Sequence, residues 1–278
     1  MNRITKTLAV GGTVAALSLS LAACGGGSGS GSGGDDKIAI GIKYDQPGLG
    51  LQEGSNYTGF DVEVAKYVAK ELGYAEDKIE FKQTPSAQRE SMIEGGQVKL
   101  IFATYSITDT RKEKVSFAGP YFIAGQDLLV RADDSSINGP DSLTGKKLCS
   151  VTGSTPAQKI ADKYPGVDLS QQDTYSKCVT ALAAGSLDAV TTDNVILAGY
   201  AAQEQYKGKL NVVGKPFTTE RYGIGLKKGD TELCTKVNTA VTKMIDSGDW
   251  EKALAETVGK SGFTHDAKTN PPKMDACS

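Results

Sequence analysis

Short apolar runs alternate with longer amphipathic stretches along most of this chain, and that alternation predicts its elements. Lys37 to Lys43 (KIAIGIK) reads as a buried strand, and the polar, glycine-containing stretch from Tyr44 to Tyr57 as a loop. From Gly59 to Leu72 the apolar positions Val62, Val64, Ala65, Val68, Ala69 and Leu72 fall near helical spacing, with Gly73 as the stop. Ile79–Phe81 predicts a second strand, Ser86–Gly95 a short helix and Leu100–Thr104 a third strand. This strand–helix–strand order calls for parallel sheet with crossover helices, since parallel neighbours cannot be joined by a tight hairpin. Tyr121 to Arg131 reads as one further strand run. A second α/β series follows: strand Lys147–Val151, helices Pro156–Tyr164 and Tyr175–Ala184, strand Ala189–Thr192, helix Asn194–Gln203 and strand Asn211–Val213. Strand Tyr222–Leu226 and helices Glu232–Ser247 and Trp250–Val258 lead into a polar tail. The prediction is two α/β lobes, the second inserted into the first, with a mostly parallel sheet in each.

The first residues carry a different pattern. A basic head (Arg3, Lys6) precedes an apolar stretch from Leu8 to Leu21, the order of a secretory signal. Leu21-Ala22-Ala23-Cys24 resembles the lipobox of bacterial lipoproteins, in which the cysteine sulfur is lipidated and the chain is cut just before it. Gly25 to Gly34 is almost entirely Gly and Ser, a tether with nothing to pack. Residues 1–23 are therefore expected to be a signal and 24–36 a leash, which places the body outside the cytoplasm on the outer face of a membrane. No later apolar run is long enough to span a bilayer.

The whole chain has formal net charge −2; the signal holds two basic and no acidic residues, so the body carries −4. A mildly acidic body argues against nucleic acid as a partner. Four cysteines remain in it, Cys149, Cys178, Cys234 and Cys277, without a CxxC pair. The single histidine, His265, sits in the tail, so neither a metal site nor a cofactor is expected. An even cysteine count in an exported body predicts disulfides, and three pairings are open.

Four segments, in order, resemble one family. Gly59-Phe60-Asp61-Val62-Glu63-Val64, then Ser106-Ile107-Thr108-Asp109-Thr110-Arg111-Lys112 with Phe117 to Phe122, then Leu187 to Asp193, then Tyr222 to Gly229, are similar to motifs of the family-3 solute-binding proteins of ABC amino-acid importers. The resemblance runs from Lys37 to Val258. It implies a type II periplasmic-binding-protein fold closing on one amino acid, with two crossing strands as the hinge near Leu129–Arg131 and Val213–Phe217. The expected division is 37–130 plus 215–278 for lobe 1 and 131–214 for lobe 2. With the hinges there, Cys149 and Cys178 fall together in the inserted lobe, and Cys277 is positioned to pin the tail onto Cys234. The resemblance also implies a monomer that performs no chemistry and delivers its ligand to an ABC permease.

The same resemblance assigns a binding site. Strand Leu100–Thr104 ends in a turn where Thr108 or Asp109 caps a short helix, and Arg111 offers a planar fork matched to a carboxylate, with Thr104 and Ser106 beside it. Asp193 opens a helix; it is either a plain N-cap or the carboxylate that meets the ligand ammonium. Ser154-Thr155-Pro156 opens another helix and is either an ordinary cap or the second edge of the carboxylate site. The family's usual basic residue is replaced by Val151. Lys43 and Arg89 stand where glutamate- and aspartate-binding members carry cations, and Gln46 where many members carry an aromatic. Tyr222 either lines the cleft or packs in the return strand. The expected ligand is an acidic amino acid, L-glutamate first, with glutamine, asparagine or aspartate as alternatives. A dehydratase-like enzyme on this fold is the remaining one, and it lacks an evident acid–base pair.

Overall fold

The structure is a computed structural model that describes residues 37–277. The expected signal, the expected tether and Cys24 lie outside the described residues. The chain opens with strand β1 (Ile38–Ile42) and three short strands, β2 (Asp45–Gln46), β3 (Gly50–Glu53) and β4 (Asn56–Thr58). Helix α1 (Phe60–Glu71), β5 (Ile79–Gln83), α2 (Arg89–Glu94), β6 (Leu100–Phe102), α3 (Asp109–Lys112) and the long β7 (Val115–Ala124) follow. The second series is β8 (Gln126–Arg131), β9 (Lys147–Val151), α4 (Thr155–Lys163), β10 (Asp168–Gln172), α5 (Tyr175–Ala183), β11 (Ala189–Asp193), α6 (Asn194–Ala201) and β12 (Leu210–Val212). The chain returns through β13 (Glu220–Lys227) and ends in α7 (Thr231–Asp246) and α8 (Asp249–Glu256) before the tail.

Two five-stranded sheets result, ordered β5-β1-β6-β13-β7 and β10-β9-β11-β8-β12. In the first, β5, β1 and β6 run parallel, and β13 lies antiparallel to both β6 and β7. In the second, β10, β9 and β11 run parallel, and β8 is antiparallel to β11 and β12. Each sheet is therefore mixed: the parallel strands need crossover helices, and the antiparallel ones are those that carry the chain between sheets.

Three differences from the sequence reading have physical causes. The loop between Tyr44 and Tyr57 folds as the small antiparallel sheet β2-β3-β4, whose strands are too short and polar to show a pattern. Strand β10 was not anticipated because its residues, Asp-Leu-Ser-Gln-Gln, are polar and half exposed at a sheet edge. The run expected as one strand from Tyr121 to Arg131 is divided at Gly125, with β7 in the first sheet and β8 in the second. The first crossing between sheets thus lies ahead of the expected Leu129–Arg131. A Cβ at Gly125 would come within 2.7 Å of Pro216, on the returning segment, so the absent side chain is what lets the two crossing segments pass.

An aromatic core holds the first lobe. Trp250 stands edge-on to Phe60 at 5.4 Å and stacks on Phe122 at 6.2 Å, and its indole N–H donates to the Tyr121 carbonyl at 2.9 Å. The disulfides are Cys149–Cys178 and Cys234–Cys277. The first ties β9 to α5, both carried by the second sheet. The second anchors the tail to α7, and Asn270 of the tail bonds both the N–H and the carbonyl of Ile123 in β7.

The two lobes approach each other closely on one side. Tyr200 of α6 donates to Asp45, whose carboxylate also accepts the Ser176 N–H at 3.2 Å. A Cβ on Gly199 would lie 2.2 Å from the Pro47 carbonyl oxygen. Alanine favours a helix over glycine by about 1 kcal/mol, so Gly199→Ala leaves α6 intact but blocks this approach. The variant is expected to unfold at a temperature near that of the parent and to show a larger radius of gyration in small-angle scattering. Equal radii would refute the contact.

Candidate functional site

The turn after β6 is the centre of the site on the first lobe. Thr104 has φ 47°, the only positive φ at a non-glycine residue among the described residues. Such a conformation costs on the order of 1–3 kcal/mol and needs outside support. Asp61 supplies it: one oxygen accepts the Thr104 N–H at 3.0 Å and the other accepts the Tyr121 hydroxyl at 2.7 Å. The Thr104 hydroxyl lies 3.2 Å from Gln46 Oε1 and 2.7 Å from the Ala103 carbonyl oxygen. Asp61 sits in the first turn of α1, wholly buried, and burial pushes its carboxyl up to about 6 despite these two donors.

Three cations stand around this turn. Arg89 opens α2 and is 3 % exposed; one terminal nitrogen donates to the Ala103 carbonyl, while Nε has no hydrogen-bond partner. Burial, then repulsion from Arg111, lowers its affinity for the proton. Lys43 follows β1 and is equally withdrawn from water; burial, then the nearby Arg89, pushes it down to about 8. Arg111 is placed by α3, where Thr108 caps the helix and accepts the Arg111 N–H at 3.2 Å. Its guanidinium donates to the Ser106 carbonyl at 2.8 Å and, across the cleft, to the Gly153 carbonyl at 3.0 Å, with Nε 3.3 Å from Glu90.

The second lobe contributes the acid. Asp193 ends β11 in the N-cap position of α6 but makes no capping bond. One oxygen accepts the Tyr222 hydroxyl at 2.6 Å, and the other, Oδ1, is buried without a partner. Burial, then the charge of Glu220, raises its carboxyl to about 8. The Asp193 side chain therefore does not act as the capping acceptor of α6. Tyr222 is fully buried and serves as the donor that orients Asp193. Ser154 is a true cap, accepting the Ala157 N–H at 3.1 Å.

Arg89, Thr104, Ser154, Thr155 and Asp193 line one narrow space of about 10 Å³ between the lobes, walled further by Ser86, Tyr175, Thr192 and Ile196. That is room for about one water molecule, far below the roughly 300–1,000 Å³ of a ligand site, so an amino acid enters only if the lobes part. The Thr192 hydroxyl is also buried without a partner. Lys43, Gln46, Ser106, Arg111 and Tyr222 do not line this space; they stand behind or beside the residues that do.

Two residues that the sequence did not single out hold the site together. One is Asp61, legible only as part of the Gly-Phe-Asp motif. The other is Glu220, at the start of β13 and 1 % exposed. Its carboxylate accepts from Ser106 at 2.8 Å, Thr155 at 3.0 Å, Thr218 at 2.9 Å and Lys159. It therefore bonds the first lobe through Ser106 and the second through Thr155 and Lys159. No sequence signal marked it, because one acid before a strand has no pattern.

The comparisons agree with this architecture. Residues 38–260 match the family described as bacterial extracellular solute-binding proteins, family 3. The glutamate-binding protein GluB of Corynebacterium efficiens is 49% identical over 234 residues, covering 80% of this chain and 79% of that protein. The ABC transporter glutamine-binding protein GlnH of Bacillus subtilis is 39% identical, over 78% of this chain and 80% of its own. Among solved structures, an ancestral arginine-binding protein bound to glutamine superposes with a TM-score of 0.74 at 32% identity, covering 80% of this chain and 98% of that one. A cysteine-binding protein from Campylobacter jejuni reaches 0.77 at 26% identity, over 84% and 94%. With its two mixed sheets, its crossing segments and its charged cleft, this chain belongs to the bacterial extracellular solute-binding proteins of family 3.

Proposed function

We propose that this protein captures an acidic amino acid, L-glutamate, outside the cytoplasm and delivers it to an ABC permease, performing no chemistry itself. One observation carries the reading: the unpartnered Arg89 Nε and the unpartnered Asp193 Oδ1 belong to buried residues that line the same narrow space. A buried charge without a partner is costly, and an amino acid with a second carboxylate offers each of these groups its complement. The ligand ammonium meets Asp193, and its side-chain carboxylate meets Arg89, with Lys43 behind. The α-carboxylate lies toward Arg111 and the first N–H groups of α4, beside Ser106 and Thr155. The two glutamate-binding relatives at 49% identity favour the same ligand.

Closure then belongs to the same device. The first lobe comprises the first sheet with α7, α8 and the tail, the second lobe the second sheet, and the movement is about Gly125 and the segment before β13. The body is a monomer held to the membrane through a lipid on Cys24, and the closed form is what the permease recognises.

Calorimetric titration of the wild type with glutamate, glutamine, aspartate and asparagine is the first test, and glutamate is expected to bind most tightly. Arg89→Gln should weaken glutamate at least tenfold and narrow or reverse its advantage over glutamine; an unchanged ratio removes Arg89 from the pocket. Arg111→Ala should cost about 3–5 kcal/mol of binding for every amino acid, as truncating one side of a buried pair does. Near-normal affinity in that variant would sink the α-carboxylate assignment.

Binding should also depend on pH. The Asp193 carboxyl is held at about 8 in the folded protein, so below that pH it is largely protonated. A ligand ammonium stabilises the ionised form, so binding expels a proton and affinity rises as pH increases toward 8. Above about 8 Lys43 loses its own proton, and its attraction for a carboxylate disappears. Affinity for glutamate is therefore expected to peak near pH 8. Titrations at neutral pH in buffers of different ionisation enthalpy read the proton directly, and absence of release contradicts the assignment of Asp193.

A further inference from the structure

Tyr105 lies between the residues assigned to the two ends of the ligand, and its contacts are unusual for a core tyrosine. Its ring is fully buried and stands edge-on to Phe117 at 4.8 Å. The guanidinium carbons of Arg89 and Arg111 both lie over this ring, each 4.9 Å from its centroid. Its hydroxyl donates to Glu90 Oε1 at 2.8 Å, and the same oxygen is 3.3 Å from Arg111 Nε. Two like charges that share one neighbour repel each other. Each is attracted to the face of an aromatic ring by about 0.5–2 kcal/mol when desolvated.

We propose that Tyr105 is a positioning residue for ligand selectivity: its ring fixes the spacing between the Arg89 and Arg111 guanidiniums, and so sets which dicarboxylic amino acid fits between them. The inference rests on the assignment of Arg89 to the side-chain carboxylate and Arg111 to the α-carboxylate. Arg89 depends on the ring most. Its one hydrogen bond goes to the Ala103 carbonyl, whereas Arg111 is also held by Ser106, Gly153 and Glu90. Loss of the ring therefore releases the side-chain end of the site before the α-carboxylate end. Loss of the hydroxyl alone disturbs Glu90 and, through it, Arg111, whose partner every amino acid carries.

The two effects separate in a pair of variants. Tyr105→Phe keeps the ring and removes the hydroxyl; glutamate and glutamine should weaken by the same factor, and their affinity ratio should stay within about threefold of wild type. Tyr105→Leu removes the ring; the glutamate preference over glutamine should fall at least tenfold, and aspartate should gain relative to glutamate as the spacing relaxes. A merely structural tyrosine would weaken all ligands alike in Tyr105→Leu. Should the leucine variant fail to fold, Tyr105→Met fills more of the volume without a ring and carries the same expectation. A glutamate-to-glutamine ratio that survives loss of the ring, in whichever variant folds, overturns the proposal while leaving the ligand assignment standing. Absence of any glutamate preference in the wild type overturns the ligand assignment and this inference with it.

Discussion

Seven charged side chains, Lys43, Asp61, Arg89, Arg111, Asp127, Asp193 and Glu220, are withdrawn from water, each less than a tenth exposed. Removing a charge from water costs several kcal/mol unless a partner replaces the lost hydration. For three of them the surrounding fold supplies those partners in full. Asp61 is satisfied by a backbone N–H and a tyrosine hydroxyl, Glu220 by three hydroxyls and a lysine, and Arg111 by two carbonyls and a carboxylate. Single atoms of Arg89, Asp127 and Asp193 are left without a hydrogen-bond partner, and of these residues Arg89 and Asp193 line the same space.

The fold makes this arrangement possible because both lobes end their strands at the cleft. The turn after β6, the start of α4 and the end of β11 all deliver polar groups to one place, as expected for α/β sheets whose loops gather at the strand ends. The antiparallel strands have the other task. They carry the chain from one sheet to the other through Gly125 and back into β13, so the lobes are joined by narrow segments only. A site divided between two bodies so connected can close by small changes at few residues.

Contacts between the lobes include polar ones, Arg111 to Gly153, Glu220 to Thr155 and Lys159, Tyr222 to Asp193, and Tyr200 and Ser176 to Asp45, beside apolar packing, since one cluster of buried apolar residues takes in members of both lobes. The polar bonds exchange with water at small net cost, about 1 kcal/mol each. Both disulfides lie clear of these contacts, one on each sheet's side, and so stiffen the lobes without tying them together.

Sequence alone determined the elements whose burial is one-sided or complete. β1, α1, β9, β11 and α7 each show a strong apolar period, and their ends fall within a residue or two of the expectation. It also determined the chemical types available to the site, since Arg89, Arg111, Asp193 and Ser154 were legible as caps or charges beside strand ends. It could not show the polar strands β2, β3, β4 and β10, whose order comes from backbone pairing and not from apolar side chains. Nor could it place the break at Gly125, because apolar residues continue on both sides of it. Tertiary structure decided that the Asp193 side chain makes no capping bond, that Lys43 is absent from the lining of the narrow space, and that Glu220 and Asp61 hold the groups around them. Those roles depend on groups up to 114 positions apart in the chain, as Ser106 and Glu220 are, and a pairing of that range leaves no local pattern to read.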